Sequence, residues 1–551
     1  MPASSQRILE WQSASSLPRL KLQTWNFPVF VPPCCNTRAR LILTNSARFW
    51  SFSGSRSLGE TKIRLRIEEA SESLASGRFS VLEIITEDRP FLLSSVLSEL
   101  GEYDLTVTWI SHPIFYVERD AKGQLVRLAA ARPGGSGPGG ESLRESFMQI
   151  AFSRAVEVSD GEIIEHKIRK VLDAVSTVVR DWPAMQGKLQ ETIAELHEVS
   201  AKLDAETRDE IPETIEFLRW LGEDHFIFMG VRDYDRVEVG GELDLSSDQL
   251  TGLGVMRDPA MRVLRRHGVL VSITPAVAAF LNDPHPIIVT KANVRSQVHR
   301  RVYMDYIGVK RFGADGHVAG ERRFLGLFTS GTYNGLPKDI PLLRRKIRLA
   351  AERANFASGT HNYASLQNLL ETFPRDELFQ VSLEELAEIS TGIMRLYERP
   401  RTRLFVRFDP FDRFVSILTF IPRERYSSET REKVGNILKT AFDGRVSASY
   451  PVLGDGPLVR VHYIIGRNLS ARPDVDINEL ERSVVAAVRS WRDALGEALE
   501  HAHDEIRARS LLRRYRESFT AAYREAFAPT AAGAEMARLQ SLGAGAVGLF
   551  G

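Results

Sequence analysis

The chain has 551 residues, 43% of them hydrophobic and 26% charged, which is enough apolar material to bury sizeable cores without covalent staples. Lys+Arg is 72 and Asp+Glu is 71, a formal net charge of +1, which argues against a general nucleic-acid binder. The two cysteines, Cys34 and Cys35, are adjacent, which excludes a disulfide framework and a cysteine zinc site; no apolar run approaches the roughly 18 residues of a membrane helix.

At about 150 residues per domain, three or four domains are expected. From Met1 to Gly59 the only acidic residue is Glu10, while Arg7, Arg19, Arg38, Arg40, Arg48 and Arg56 recur among serines. Residues 1–60 therefore read as a disordered tail or a start placed too far upstream, with a composition like that of a transit peptide. Both cysteines fall in this stretch and are assigned no chemistry.

Residues 62–182 form the first folded unit. Phe79 to Thr86 reads as a buried strand, and Asp88, Arg89 and Pro90 form a turn with a helix start. Phe91, Leu92, Ser95, Val96 and Leu100 continue at helical spacing. Strands follow at Leu105–Ile110 and His112–Arg119, then a hairpin turn at Lys122-Gly123, a glycine loop, and a strand from Ser146 to Val158. Ile164, Ile168, Val171, Leu172, Val175 and Val179 close the unit as a helix, giving β-α-β-β-β-α, a small α+β sandwich.

Residues 183–209, rich in Glu and Lys, read as a helical connector. In 210–335, Pro212 opens an amphipathic helix through Leu221, and strands are expected at Phe226–Val231, Val269–Ile273, Ile287–Thr290, Val302–Lys310 and Phe324–Phe328. Residues 336–400 are helical, at Pro341–Glu352 and Ser382–Tyr397. In 401–470, Arg403–Phe408 pairs with Phe414–Ile421, a helix starts at Ser428 with Glu429, and strands return at Val446–Tyr450 and Val459–Ile465. Residues 475–530 are helical, with Leu480, Val484, Val488, Trp491 and Leu495 on one face. The stretch 531–551 ends in small residues and glycines and reads as an atypical, truncated end.

Few motifs carry chemistry. Gly135-Ser-Gly-Pro-Gly-Gly140 formally fits G-x-G-x-x-G, but Pro138 and a following strand make it a hairpin loop. His501 and His503 are two apart on a helix and so point to different faces. Lys291 to Arg311 carries seven basic residues with Tyr303 and Tyr306 interleaved, a pattern that stacks single-stranded bases; the neutral total charge favours the polar face of a hairpin instead. In Glu371 to Gln380, Arg375, Asp376 and Glu377 fit an ion-pair network around Pro374 better than paired catalytic carboxylates. No Walker A, H-E-x-x-H or G-x-S-x-G sequence is present.

Longer stretches carry a resemblance. Thr290-Lys-Ala-Asn293, Val298-His-Arg-Arg-Val-Tyr-Met-Asp-Tyr-Ile-Gly-Val-Lys310, Gly320-Glu-Arg-Arg-Phe-Leu-Gly-Leu-Phe-Thr-Ser330, Glu371 to Gln380 and Arg403 to Val415 resemble the large bacterial NAD-specific glutamate dehydrogenases. So do Phe217-Leu-Arg-Trp-Leu221 and Asp224-His-Phe226; the likeness runs from about residue 62 to about 530. It implies the N-terminal regulatory region: α+β, multidomain, with ACT-like (ferredoxin-like) sandwiches at 62–182 and 401–470, a PAS-like middle domain and C-terminal helices.

The resemblance also implies that NAD is the cofactor of the full-length enzyme, that its reaction is oxidative deamination of L-glutamate to 2-oxoglutarate, and that the dehydrogenase domain lies outside this sequence. No catalytic, cofactor-binding or metal residue is therefore assigned here. The family's ACT domains suggest a cytoplasmic homo-oligomer with an amino-acid effector, and neither a nucleic-acid nor a membrane partner. The candidate effector or contact turn is Asp88-Arg89-Pro90-Phe91, where amino-acid-binding ACT domains often carry Asp-x-Pro-Gly. A phenylalanine fills the space that glycine leaves for a ligand, so a structural or subunit contact is favoured. The alternative function is a stand-alone amino-acid-sensing or assembly module without catalysis.

Overall fold

The structure is a computed structural model. It describes residues 9–10, 49, 52–69, 78–130 and 143–541, apart from 240–241, 267–268, 272, 357–358, 411, 455, 469–472, 490 and 516. Cys34, Cys35, the glycines of 135–140, the end from 542 and most of the 1–60 tail lie outside the described residues. The chain divides into two compact units, residues up to 263 with 278–334, and 264–277 with residues from 335 onwards.

The first unit holds two antiparallel sheets. Its first sheet contains β1 (Lys62–Glu69), β2 (Arg78–Glu87), β3 (Val107–Ser111), β4 (Ile114–Arg119), β5 (Leu125–Ala130) and β6 (Leu143–Phe152). The order is β5-β4-β6-β2-β1, with β3 also paired to β6 and Leu9–Glu10 paired to β5. The strands β1 and β5 were not expected from the sequence. In β1 the apolar alternation Ile63, Leu65, Ile67 is masked by Arg64 and Arg66. Those arginines reach buried Glu83 of β2, at 2.5 and 3.0 Å, so the charged positions stabilise the pairing.

Helix α2 (Val158–Val199) packs on this sheet, and α1 (Leu92–Leu100) packs against α2. The last expected strand ends earlier than predicted, at Phe152, and α2 starts at Val158. The expected connector is not a separate element, because α2 runs for 42 residues straight through Pro183. Its buried stripe of Ile164, Ile168, Val171, Val175, Met185, Leu189, Ile193 and Leu196 is continuous at helical spacing.

The distal part of α2 covers the second sheet, made of β7 (Phe226–Val239), β8 (Glu242–Ser247), β9 (Leu253–Gly254), β10 (Ile287–Arg295), β11 (Tyr303–Phe312) and β12 (Val318–Phe328). The order is β9-β7-β12-β11-β10, with β8 also paired to β7. The helix α3 (Ala205–Trp220) precedes it. Pro212 lies inside α3 and does not open it; the start is set by Asp204, whose carboxylate accepts from the Thr207 N–H at 2.9 Å.

In the second unit, helices α4 (Leu343–Arg353), α5 (His361–Glu371), α6 (Arg375–Gln380) and α7 (Leu383–Glu398) precede a four-stranded sheet. Ser382 and Glu385 form a reciprocal capping box at the start of α7. The sheet contains β13 (Arg403–Phe408), β14 (Phe414–Pro422), β15 (Gly444–Leu453) and β16 (Leu458–Arg467), in the order β13-β14-β16-β15. Helices α8 (Ser428–Ala441) and α9 (Ile477–Val488) complete its core, in which Val415, Ile417, Val434, Leu438, Val461, Ile465 and Val484 are fully buried. The helical pattern expected through Phe527 is divided into α10 (Trp491–Ala502), α11 (Glu505–Tyr515) and α12 (Ala521–Ala526), followed by α13 (Pro529–Ser541). Asp504 and Thr520 cap new helix starts where the periodicity alone reads as continuous.

Candidate functional site

The turn singled out in the sequence joins β2 to α1. Asp88 is held at both ends: its N–H donates to the Arg144 carbonyl at 2.8 Å, and the Arg144 guanidinium meets its carboxylate at 2.8 Å. Arg89 pairs with Glu87 at 2.5 Å. Pro90 lies before the helix, and Phe91 is the N-cap residue with φ 70° and ψ 0°. This left-handed conformation costs a residue with a side chain about 1–2 kcal/mol, and glycine nothing comparable. The Phe91 carbonyl accepts from the Ser95 N–H at 3.0 Å and from the Ser95 hydroxyl at 2.6 Å, which closes the first turn of α1.

The ring of Phe91 does more than fill space. It lies 5.1 Å from the imidazole of His299, in the segment between β10 and β11. His299 also has a positive φ, 68°. Its N–H donates to Ser95 Oγ at 2.8 Å, and its Nδ1 lies 3.1 Å from Ser94 Oγ. The Arg301 N–H donates to Ser98 Oγ at 2.9 Å, and the Arg301 guanidinium pairs with Glu99. One face of α1, carrying Phe91, Ser94, Ser95, Ser98 and Glu99, is thus occupied by residues 299–301 of the same chain. Burial, reinforced by the neighbouring Arg300 charge, holds the His299 imidazole below its ordinary value, so it sits there neutral.

His112 and Pro113 lie between β3 and β4, so the strand expected from His112 starts two residues later, at Ile114. The His112 Nε2 is 2.6 Å from Ser146 Oγ, and burial lowers its pKa against the pull of Asp88.

The basic stretch 291–311 meets partners inside the chain. Lys291 pairs with Asp305 at 2.6 Å, Arg311 with Asp235 at 2.8 Å, and buried Lys310 with Asp283. The Arg300 guanidinium donates to the Phe328 carbonyl at 2.8 Å. These are the hydrogen bonds of a hairpin seated in its own fold, not those of a free cationic strip.

In the second unit Arg375, Asp376 and Glu377 open α6. Glu377 is buried, and Arg407 of β13 grips its carboxylate at 2.8 and 2.7 Å. Burial works against the Glu377 charge, but Arg407 outweighs it and holds the carboxyl below its ordinary range. His462 Nε2 lies 3.8 Å from the same carboxylate and 2.8 Å from Ser416 Oγ. This is a closed structural network, as the sequence reading of this segment prefers. Among the described residues, no group of three or more His, Cys, Asp or Glu forms a metal centre, and no helix is long and apolar enough to cross a membrane.

Sequence reasoning missed the charged positions inside the second sheet. Arg322 is buried and reaches Asp233 at 2.7 Å, Thr192 at 2.9 Å and Glu191 at 2.9 Å, tying β12 and β7 to α2. The signal was present: Glu321-Arg322-Arg323 runs directly into Phe324-Leu325 in a strand otherwise apolar.

Helices on antiparallel sheets, alternating with all-helical segments, define a multidomain protein of ACT type. Residues 35–168 match the family model for the ACT1 domain of glutamate dehydrogenase, and residues 403–492 that for its ACT2 domain. Residues 340–399 and 498–542 match its helical motifs 1 and 2. The chain is 33% identical over 485 residues to the NAD-specific glutamate dehydrogenase of Halomonas elongata, covering 88% of this chain and 30% of that protein. It is 32% identical over 469 residues to the NAD-specific glutamate dehydrogenase of Pseudomonas aeruginosa, covering 84% of this chain and 28% of that one. With the Mycobacterium tuberculosis NAD-specific glutamate dehydrogenase the identity is 27% over 474 residues, 84% of this chain and 27% of that one. The chain belongs to the large NAD-specific glutamate dehydrogenase family, as its N-terminal part. It spans less than a third of the length of these relatives.

Proposed function

We propose that this chain is the regulatory and oligomerisation portion of an NAD-dependent glutamate dehydrogenase. The whole enzyme converts L-glutamate, NAD and water to 2-oxoglutarate, ammonium and NADH, in a dehydrogenase domain outside these residues. The observation that carries the reading is the first β–α turn of the ACT1 region, plugged by Phe91 and covered by His299 and Arg301. In this reading the turn serves as a contact with the 299–301 segment of the same chain, and the Phe91 ring takes the space an amino acid would need beside the backbone. Any amino-acid effector binds elsewhere. The middle region, residues 210–335, is PAS-like in this reading, an antiparallel sheet covered by helix on one side.

Self-association is supported by β15. It is an edge strand, and Val446, Tyr450, Val452 and Leu453 on it are exposed. Uncovered apolar edge strands invite pairing with another chain. The site of action in this reading is the cytoplasm.

The test is to incubate the purified 551-residue chain with L-glutamate and NAD and follow NADH absorbance. No NADH is expected, and steady production would overturn the division of labour. Calorimetric titration of glutamate, aspartate and arginine then asks whether these residues bind an effector. Competition of any of them with the His299–Ser95 contact, seen as loss of amide protection at His299, would overturn the plugged-turn reading.

A further inference from the structure

The second sheet pairs two buried arginines face to face. In the register of β7 with β12, Arg232 stands directly opposite Arg323, and Tyr234 opposite Glu321. Tyr306 of β11 lies opposite Leu325, two positions from Arg323 and therefore on the same face. Arg232 is 0% exposed and Arg323 1%. Like charges directly opposite on a sheet repel, and in a buried setting the repulsion is not screened by water.

The two arginines are not equally satisfied. Arg323 holds Glu321 at 2.9 Å and stacks over the Tyr234 ring at 3.9 Å, while the Tyr306 hydroxyl donates to the same Glu321. That carboxylate is fully engaged. Asp233, adjacent to Arg232 in sequence, projects from the opposite face and is bound to Arg322. Arg232 donates through Nη2 to the Met256 carbonyl and at 2.6 Å to the Asp258 carbonyl. Among the described residues its Nε and Nη1 are buried with no hydrogen-bond partner.

The guanidinium cannot swing out to water. The segment that accepts its Nη2 is pinned on its far side, where the Gly254 N–H donates to Asp181 of α2 at 2.9 Å and Arg257 Nη2 donates to the same carboxylate at 3.0 Å. Glycine at 252 keeps side-chain atoms away: a Cβ there would stand 3.4 Å from Arg232 Nε. The cluster therefore has two buried cations, one carboxylate and unspent donors. A buried cation without a counter-ion is costly, and an anion at the unspent donors would offset that cost.

We propose that Arg232 is the anchor of a binding site for one small monoanion, a halide or the carboxylate of a small organic acid, on this face of the second sheet. The inference stands on the charge balance of the sheet and does not rest on the glutamate dehydrogenase reading.

The experiment uses the intact chain, exchanged into buffer free of halide and carboxylate. Chlorine NMR line width is measured as chloride is added, then as formate, acetate or glutamate is added in competition. Saturable broadening is expected from the wild-type chain. Displacement by formate or acetate identifies the carboxylate as the better occupant, and failure of displacement identifies a halide site. Absence of saturable broadening, together with no rise in unfolding temperature on adding formate, would overturn the proposal. Arg232→Met, which removes the charge and keeps a long side chain, should weaken the apparent affinity about tenfold or more. If Arg232→Met fails to fold, Arg232→Lys serves instead, with a compact cation in place of the fork. An anion response unchanged in a folded variant would also overturn the assignment.

Discussion

At the scale of single residues, buried charge decides the strongest effects. Arg407 and Glu377 are both almost fully buried, so truncating one leaves the other desolvated and alone. Arg407→Ala should destabilise the second unit by about 3–5 kcal/mol in denaturant titration. The paired change Arg407→Met with Glu377→Gln should cost much less, because neither partner is then left charged. The pH dependence follows from the same cluster. His462 is held below its ordinary 6.5 by burial, so below pH 6.5 the unfolded chain takes up a proton that the folded chain resists. Stability should therefore fall as pH drops through 6.5. Glu377, held below its ordinary 4.5, adds a second loss as pH falls below 4.5. His462→Gln should remove part of the upper step in the denaturation midpoint and leave the lower one. A flat midpoint from neutral pH down to 4.5 would contradict this account.

At the scale of elements, α1 and α2 are the informative pair. The serines on α1 serve as acceptors for backbone N–H groups of the 299–301 segment. Ser95→Ala removes the acceptor of the His299 N–H and leaves it facing a methyl group, at a cost of about 1 kcal/mol. Amide exchange at His299 should accelerate about fivefold, while exchange in the β14 core stays unchanged. Helix α2 carries Pro183 in its interior with an exposed ring. Proline there removes one backbone donor and crowds the preceding turn. Pro183→Ala should stabilise the first unit by about 1–3 kcal/mol, read as a higher unfolding temperature. A drop would show that a bend at this position is needed to seat both halves of the helix.

At the scale of the whole molecule, ACT-type sheets linked by helical motifs are suited to assembly. Val452→Lys places a charge on the exposed β15 edge at little cost to the fold, since Val452 is 44% exposed. Sedimentation should show a smaller species for this variant than for the wild-type chain if that edge joins copies. An unchanged distribution would move the interface elsewhere.

Much of this organisation is legible in the sequence. The runs Phe79–Thr86 and Phe414–Ile421 declare buried strands because most of their positions are apolar, and the period of Ser382–Tyr397 declares a helix, whose Ser382–Glu385 capping box the structure then shows. The turn at Asp88–Phe91 stood out because phenylalanine occupies a place that suits glycine. Those signals are local, and local sterics decide them. The strand β1 stayed hidden because its charges make sense only beside Glu83, far along the chain. The His299 plug and the Arg232–Arg323 opposition were hidden for the same reason: each joins residues from separate elements. Local propensity and periodicity thus determined most of the segments that are helix or strand, and the long ordered motifs carried the resemblance to the family. Only the tertiary structure decided which charges are buried, which are paired, and which face of α1 is already taken, because those outcomes depend on register and burial between distant parts of the chain.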